Sequence, residues 1–129
     1  MMAVAMLAAG CAKDAPRPVN CAVRPPDFGS FVDPHRMISF EPPLINTVEV
    51  GRDGRLAWNM VPIVGPDGVS DWVVLNRYLS VSTQLEPQPL VTLVFSKGTS
   101  CTAVRRVRAL MRRHVGCGPG EHCFQGPPR

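Results

Sequence analysis

The hydrophobic and polar positions of this chain take on a strand-like pattern from Leu44 onward. Apolar and polar residues alternate over Ile45–Val50, and a second short alternating segment, residues 55–59, follows the turn at residues 51–54. A period of two predicts strands, and the glycines of the connection favour a hairpin. Leu90–Phe95 is a continuous run of β-prone residues, which predicts a strand buried on both faces.

A helical spacing of apolar residues follows the hairpin and a loop at residues 62–68. Ser70 is a candidate N-cap, and the helix is expected to run to about Gln84 before the prolines Pro87 and Pro89 end it. Its apolar side chains recur on one side of the helix: Trp72, Leu75, Tyr78, Leu79 and Leu85. This pattern predicts a helix packed against the sheet.

A second helix is predicted over residues 102–114, capped by Thr99 or Ser100 and ended by Gly116. Its apolar stripe consists of Val104, Val107, Leu110, Met111 and Val115. Five arginines fall on a broad arc opposite that stripe at about 100° per residue: Arg105, Arg106, Arg108, Arg112 and Arg113. A basic face of this kind can bind anionic lipid or cell-wall polymer, or it can simply keep a small domain soluble.

The order of these elements, with a last short strand at Phe124, is ββαβαβ. It predicts an α+β fold: a two-layer sandwich with one small sheet of about four strands and two helices on one face. The domain is expected to span residues 44–129. Residues 12–43 hold seven of the fourteen prolines and predict an extended arm, whose second half is apolar enough to lie against the domain.

Composition and the first residues bear on where the protein works. The apolar run that ends Leu7-Ala8-Ala9-Gly10-Cys11 has the pattern at which a bacterial lipoprotein signal is cut and the cysteine takes a lipid. The alternative is a frayed apolar N-terminus with an incidental cysteine. We therefore expect residues 1–11 to be a signal ending at a lipidated Cys11. The mature protein would then lie in the envelope of a Gram-negative bacterium, anchored on the periplasmic side.

The remaining cysteines form an even set, which suits an oxidising compartment. The second helix would hold Cys101 and Cys117 on the order of 20 Å apart, beyond the reach of a disulfide. Cys117 and Cys123 flank the tight turn Gly118-Pro119-Gly120 and should pair. Cys21 is left to pair with Cys101, which would tie the arm to the first turn of the second helix.

A set of residues between 45 and about 124 recurs in a familiar order and spacing: the Val48-x-Val50 strand, the Asp53-Gly54 turn, Trp58-Asn59, Leu75 and Leu79, the segment Pro89-Leu90-Val91-Thr92-Leu93, and Val104, Val107 and Leu110 before Gly116. In these residues the chain resembles the periplasmic domain of the ExbD/TolR family of biopolymer-transport proteins. The resemblance implies the fold, a tendency to form a homodimer, and contact with peptidoglycan or a TonB-like envelope protein. The family's transmembrane helix and its aspartate have no counterpart here, so proton coupling is not implied.

Two enzyme hypotheses compete with binding. Cys101, at the start of a helix, could be a nucleophile or redox thiol, although no motif supplies a base. His114, Cys117, His122 and Cys123 could by residue type form a zinc site, although His122 and Cys123 would point to opposite faces of a strand. A purely structural wall-spacing lipoprotein is a third possibility. Trp58, Trp72 and Tyr78 are interpreted as core or partial-core residues.

The function favoured by these observations is binding without catalysis. We expect a lipoprotein that contacts an envelope protein or peptidoglycan, with the sheet edge and the arginine face as its contact surfaces. No cofactor or metal is expected. Nucleic acid is a poor fit, because export would separate the protein from it and basic residues are not interleaved with aromatic ones.

Overall fold

The computed structural model describes residues 21–30 and 44–127. Within them, six strands form one sheet in the order β1-β6-β5-β2-β3-β4, accompanied by two helices. The elements are β1 (Gly29–Ser30), β2 (Ile45–Val50), β3 (Leu56–Trp58), β4 (Val61–Pro62), α1 (Trp72–Ser82), β5 (Leu90–Phe95), α2 (Cys101–His114) and β6 (Cys123–Gln125). The α+β class is confirmed.

The expectation of about four strands is wrong by two. The additional strands, β1 and β4, occupy opposite edges of the sheet and have two residues each. A two-residue strand is too short to show a period of two in the sequence. β1 is a Gly-Ser pair, and β4 contains Pro62, a residue that sheets tolerate only where no ladder N–H is required.

The predicted β2–β3 hairpin lies beside β5 near the centre of the sheet. β2 and β3 form an antiparallel hairpin in which Val48 lies opposite Trp58, and β2 runs parallel to β5 along its whole length. β6 continues the parallel set beside β5. Val91 through Phe95 are all buried, so β5 is covered on both faces, as its unbroken β-prone sequence predicted.

The core lies between the sheet and the helices. Alternate residues of a strand share a face, and one set of alternating positions on the central strands joins the helices in a single buried cluster. The members of this cluster from β2, β5, α1 and α2 are Val48, Val50, Val91, Leu93, Phe95, Leu75, Leu79, Val104, Val107 and Met111. In the part of the chain that the structure describes, neither helix has the length and apolar character needed to cross a membrane.

Helix α1 begins one residue later than Ser70 predicted. Asp71 is the N-cap, and its carboxylate accepts a hydrogen bond from the Val74 N–H at 3.1 Å. The Ser70 hydroxyl is used elsewhere: it accepts from the Leu56 N–H and donates to the Gly54 carbonyl, which joins the helix entry to the hairpin. The helix ends at Ser82 rather than near residue 84.

Helix α2 begins at Cys101, with Ser100 in the N-cap position but without a side-chain capping hydrogen bond. Thr99, the other candidate cap, donates its hydroxyl to the Ser96 carbonyl at 2.6 Å instead. The helix ends as predicted, because Gly116 follows the C-cap Val115 with a φ of 82°. That left-handed conformation favours glycine.

Residues 21–30, which are part of the predicted arm, pack against the domain. Phe28 is 1% exposed and lies in the core, and β1 pairs in parallel with β6. Gly29 lies directly under the Phe124 ring, where an added Cβ would be 2.6 Å from a ring carbon. The other predictions for the N-terminal region, namely the signal at residues 1–11, the lipid on Cys11 and the apolar residues of 31–43, fall outside the described residues.

Candidate functional site

The five arginines of α2 do not form one open basic face. Arg108 is 6% exposed, because residues 21–30 lie over it. Its guanidinium donates to the side-chain oxygen of Gln125, and also to the carbonyl of Cys21 at 2.5 Å and to that of Val23 at 3.3 Å. Burial lowers the pKa of Arg108 by penalising its charged form. Arg108 is therefore a structural group that holds the N-terminal segment.

Two further arginines of the set have partners. Arg112 donates two hydrogen bonds to the Asp27 carboxylate, at 2.6 and 3.1 Å, and this contact lowers the pKa of Asp27 and raises that of Arg112. The Arg106 guanidinium lies 4.2 Å from the centroid of the Trp72 ring, a cation–π contact. Arg105 and Arg113 are exposed, without an ion pair among the described residues. Of the predicted binding face, Arg108 is thus buried, and Arg106 and Arg112 are engaged with Trp72 and Asp27.

The cysteines lie in the two pairs that helix geometry predicted. Cys21 is bonded to Cys101 with their Cα atoms 5.6 Å apart, and Cys117 to Cys123 with theirs 4.9 Å apart. A sulfur in a disulfide is not a thiolate, so in this state Cys101 has neither nucleophilic nor metal-binding capacity. The first disulfide fastens residue 21 to the start of α2, and the second closes the turn before β6.

The residues proposed for zinc do not come together as a site. His114 shares a hydrogen bond of 2.7 Å with Asn76, and His122 lies 3.6 Å from the Glu121 carboxylate. Among the residues that the structure describes, no group of three or more His, Cys, Asp or Glu side chains is placed to hold a metal ion. The arrangement here is that of a disulfide-closed turn beside a helix end.

A concave surface lies between α1 and the β2–β3 hairpin. It is an open groove of about 340 Å³, which we call the Trp58 groove, and its lining residues are Asn46, Trp58, Arg77, Tyr78, Val81, Ser82 and Leu85. The Trp58 and Tyr78 rings lie 5.5 Å apart between centroids and are tilted by 45°. Two aromatic rings and two aliphatic side chains thus meet an arginine, an amide and a hydroxyl at one place.

A chain of hydrogen bonds fixes the orientation of the polar groups in this groove. The Thr47 N–H donates to Asn59 Oδ1 at 2.7 Å, which identifies the other end of the Asn59 amide as nitrogen. That nitrogen donates to Asn46 Oδ1, and Asn46 Nδ2 in turn donates to the Ser82 hydroxyl oxygen at 3.0 Å. The backbone therefore sets both amides. The Asn46 oxygen is engaged by Asn59, while its nitrogen is directed toward Ser82.

Exposed apolar side chains are concentrated in the same segment of the chain, which contains the hairpin and α1. Among the described residues, nine of the ten large hydrophobic side chains that are exposed come from residues 44–85. We call this set the hairpin–helix surface: Leu44, Met60, Val61, Val64, Val69, Val73, Tyr78, Val81 and Leu85. The tenth is Val23. The Trp58–Tyr78 contact joins the hairpin to the helix within this region.

Two of the groove residues were misassigned from the sequence. Tyr78 was interpreted as a core or partial-core residue but is 41% exposed, and Leu85, expected on the packed side of α1, is 47% exposed. Trp58 is partly buried, in keeping with a partial-core residue. The sequence spacing could have indicated this exposure. Tyr78, Val81 and Leu85 lie about one helical turn apart, and they follow a different line along the helix from the buried Leu75 and Leu79.

No protein-family model, curated protein or solved structure matches this chain. The resemblance to the ExbD/TolR family stays a prediction from the residues quoted for it. The candidate site is therefore described by the side chains that line the Trp58 groove.

Proposed function

We propose that this chain is a non-enzymatic binding domain of the Gram-negative cell envelope, held at a membrane by a lipid on Cys11 and similar in fold to the periplasmic domain of the ExbD/TolR family. Its work is to contact an envelope protein in biopolymer transport or envelope maintenance. The hairpin–helix surface, with the Trp58 groove within it, is the contact site. The arginine face of α2 is less well supported, because Arg108 is buried and Arg106 and Arg112 already contact Trp72 and Asp27.

The observation that carries this proposal is the concentration of exposed apolar residues in the segment 44–85. Nine of the ten exposed large hydrophobics of the described residues lie in 44–85, and Met60, Val61 and Val73 are each more than 60% exposed. Exposed apolar residues concentrated in one part of a small domain are typical of protein interaction sites. A polysaccharide such as peptidoglycan offers less apolar surface, so a protein partner fits better.

Two further features support the compartment and the family. Both disulfides are compatible with an oxidising environment such as the periplasm. The elements between residues 45 and 125 follow the order ββαβαβ, if the short edge strand β4 is left out. The resemblance implies the same order. The thiol- or zinc-dependent enzyme is less well supported, since Cys101, Cys117 and Cys123 are all in disulfides.

The test combines crosslinking with intact mass. The full chain is produced in a Gram-negative bacterium with the photoreactive residue p-benzoylphenylalanine in place of Val81, on the hairpin–helix surface, or in place of Arg113, as an exposed control on α2. We expect a membrane-fraction crosslink to an envelope protein from position 81 and none from 113. A crosslink to muropeptides would identify peptidoglycan instead, and equal labelling at both positions would overturn the contact site.

The same preparation tests the compartment and the enzyme alternative. A non-reducing mass with an acylated Cys11 and both disulfides is expected. An unmodified Met1 with free thiols would place the protein in the cytoplasm and overturn the proposal. Rapid alkylation of Cys101 in the isolated protein would favour the thiol enzyme.

A further inference from the structure

We propose that the Trp58 groove binds the C-terminal residue of a partner polypeptide, with an apolar or aromatic side chain against Trp58, Tyr78 and Leu85. The partner's C-terminal carboxylate is received by Arg77 and the polar groups of Asn46 and Ser82. This inference rests on the proposed function, that the domain binds an envelope protein. It adds to that function the chemistry that the partner must present.

The apolar walls and the size of the groove set the first requirement. Trp58 and Tyr78 form an angled pair of rings, and Val81 and Leu85 continue the apolar lining. A volume of about 340 Å³ is at the lower end of the range of ligand pockets, roughly 300–1,000 Å³. It suits one large side chain with its terminal group rather than a chain that passes through.

The polar groups of the groove set the second requirement, because the side chains there offer donors. Asn46 Oδ1 already accepts from Asn59, and Asn59 Oδ1 accepts from Thr47. The Asn46 amide has a second N–H, and the Ser82 hydroxyl has one hydrogen to donate. Neither hydrogen is engaged by another of the described residues.

The backbone carbonyls at the end of α1 already have hydrogen-bond donors. The carbonyl of Ser80 accepts from the Thr83 hydroxyl, that of Val81 accepts from the Gln84 N–H, and that of Ser82 accepts from the Leu85 N–H. These helix-end acceptors are therefore satisfied. A ligand that brings acceptors therefore fits the donors that Asn46 and Ser82 offer in the groove.

Arg77 gives the groove its charge. It is exposed and forms no ion pair with any residue that the structure describes. A guanidinium is matched by a carboxylate, which accepts its paired N–H groups in a fork geometry. A C-terminal carboxylate provides acceptors for the Arg77 guanidinium and for the remaining hydrogens of Asn46 and Ser82.

The experiment uses the oxidised full chain as isolated from producing cells, titrated with the tetrapeptide Gly-Gly-Ala-Phe carrying a free or an amidated C-terminus. The Nε1–H resonance of Trp58 reports the groove, and that of Trp72, which lies under Arg106, is an internal reference. We expect the free acid to shift Trp58 alone and to bind at least tenfold more tightly than the amide. Arg77→Ala should weaken binding about tenfold, which is roughly 1.4 kcal/mol.

Arg113→Ala is the matched control, since it removes the same charge from an exposed position on the other helix, and it should leave binding unchanged. Equal binding of acid and amide would overturn the proposal, as would equal binding of a peptide with the phenylalanine in an internal position. Tighter binding of 3-phenylpropionate than of the tetrapeptide would identify a free small carboxylate as the ligand and would also overturn it. The proposal would also be overturned if the tetrapeptide caused no shift of the Trp58 resonance.

Failure of this inference can be distinguished from failure of the proposed function. A crosslink from position 81 to an envelope protein, without carboxylate-dependent binding of the tetrapeptide, would retain the binding domain and remove this inference. Tetrapeptide binding that depends on Arg77, without any crosslink in cells, would support the groove chemistry and count against the envelope partner.

Discussion

The Arg108 guanidinium donates two hydrogen bonds to the side-chain oxygen of Gln125, from Nε at 3.1 Å and from Nη2 at 2.7 Å. Both residues are buried. Through the same guanidinium, the carbonyls of Cys21 and Val23 are held against α2. One side chain thus connects the N-terminal segment, the second helix and the last strand, and the arginine serves the fold rather than a ligand.

Replacement of Arg108 should therefore be costly. Arg108→Met keeps an apolar stem but leaves the Gln125 oxygen and the Cys21 carbonyl without their donor, and we expect a loss of about 2–4 kcal/mol in the free energy of unfolding. Urea unfolding of the oxidised protein measures this loss in the free energy of unfolding. Arg113→Met, at an exposed position of the same helix, should change stability by less than about 0.5 kcal/mol. Similar losses for both variants would contradict the structural role of Arg108.

The ion pair between Asp27 and Arg112 predicts a pH dependence. The hydrogen bond from Arg112 lowers the pKa of Asp27 below its usual value of 3.8 in the folded protein. Its stabilisation is therefore complete above 3.8, the unfolded value, and is lost as the pH falls through the lower folded value. Both side chains are partly exposed, so Asp27→Asn should cost less than about 1 kcal/mol at neutral pH.

The measurement is urea unfolding of wild type and Asp27→Asn over a pH series. The difference between the two should vanish at the acid end, once Asp27 is protonated in both states, and should shrink in high salt. In the Arg112→Gln background, Asp27→Asn should have little effect at any pH. A difference that grows on acidification would show that the sign assigned here is wrong.

The sequence predicted the parts of this fold that depend on local pattern. The β2–β3 hairpin, β5, both helices and the end of α2 at Gly116 follow from residue spacing, and the rigid rise of α2 was sufficient to choose the disulfide pairing. The Asp71 cap was missed because Ser70 and Asp71 are both good caps. The choice between them depends on Gly54 and Leu56, which occupy the Ser70 hydroxyl.

The contacts of Arg108 and of the Trp58 groove were harder to predict, because they join residues that are distant in sequence. Arg108 and Cys21 are 87 residues apart, and no local pattern reports that separation. One signal was available: Arg108 lies four residues after Val104, about one turn on, and so borders the apolar stripe rather than the solvent side. The Trp58 groove depends on the Val48–Trp58 register and on Tyr78 of α1, which meet only in the folded domain.

The two disulfides should differ in their contribution to stability. Cys21 and Cys101 are separated by 80 residues and Cys117 and Cys123 by 6. Closing the longer loop restricts the unfolded chain more, by about 4.5 kcal/mol against about 2.4 kcal/mol in the chain-entropy treatment. Urea unfolding of the variants Cys21→Ser/Cys101→Ser and Cys117→Ser/Cys123→Ser measures both losses. A larger loss from the Cys117–Cys123 pair would contradict the prediction.

The turn between β3 and β4 places a methionine where glycine is favoured. Two residues connect Trp58 to Val61, and both have positive φ, 49° for Asn59 and 71° for Met60. This is the backbone of a two-residue hairpin for which Asn-Gly is the preferred sequence. Met60→Gly relieves the left-handed strain and should raise the free energy of unfolding by about 1 kcal/mol.

Met60→Ala separates backbone strain from side-chain loss, because it shortens the side chain but retains the Cβ, and it should give no stabilisation. Met60 is 87% exposed within the hairpin–helix surface, so its side chain contributes little to the core. Met60→Gly should therefore raise stability while it weakens the crosslink from position 81, since the turn loses an apolar contact group. A variant that is both more stable and fully crosslinked would place Met60 outside the contact site.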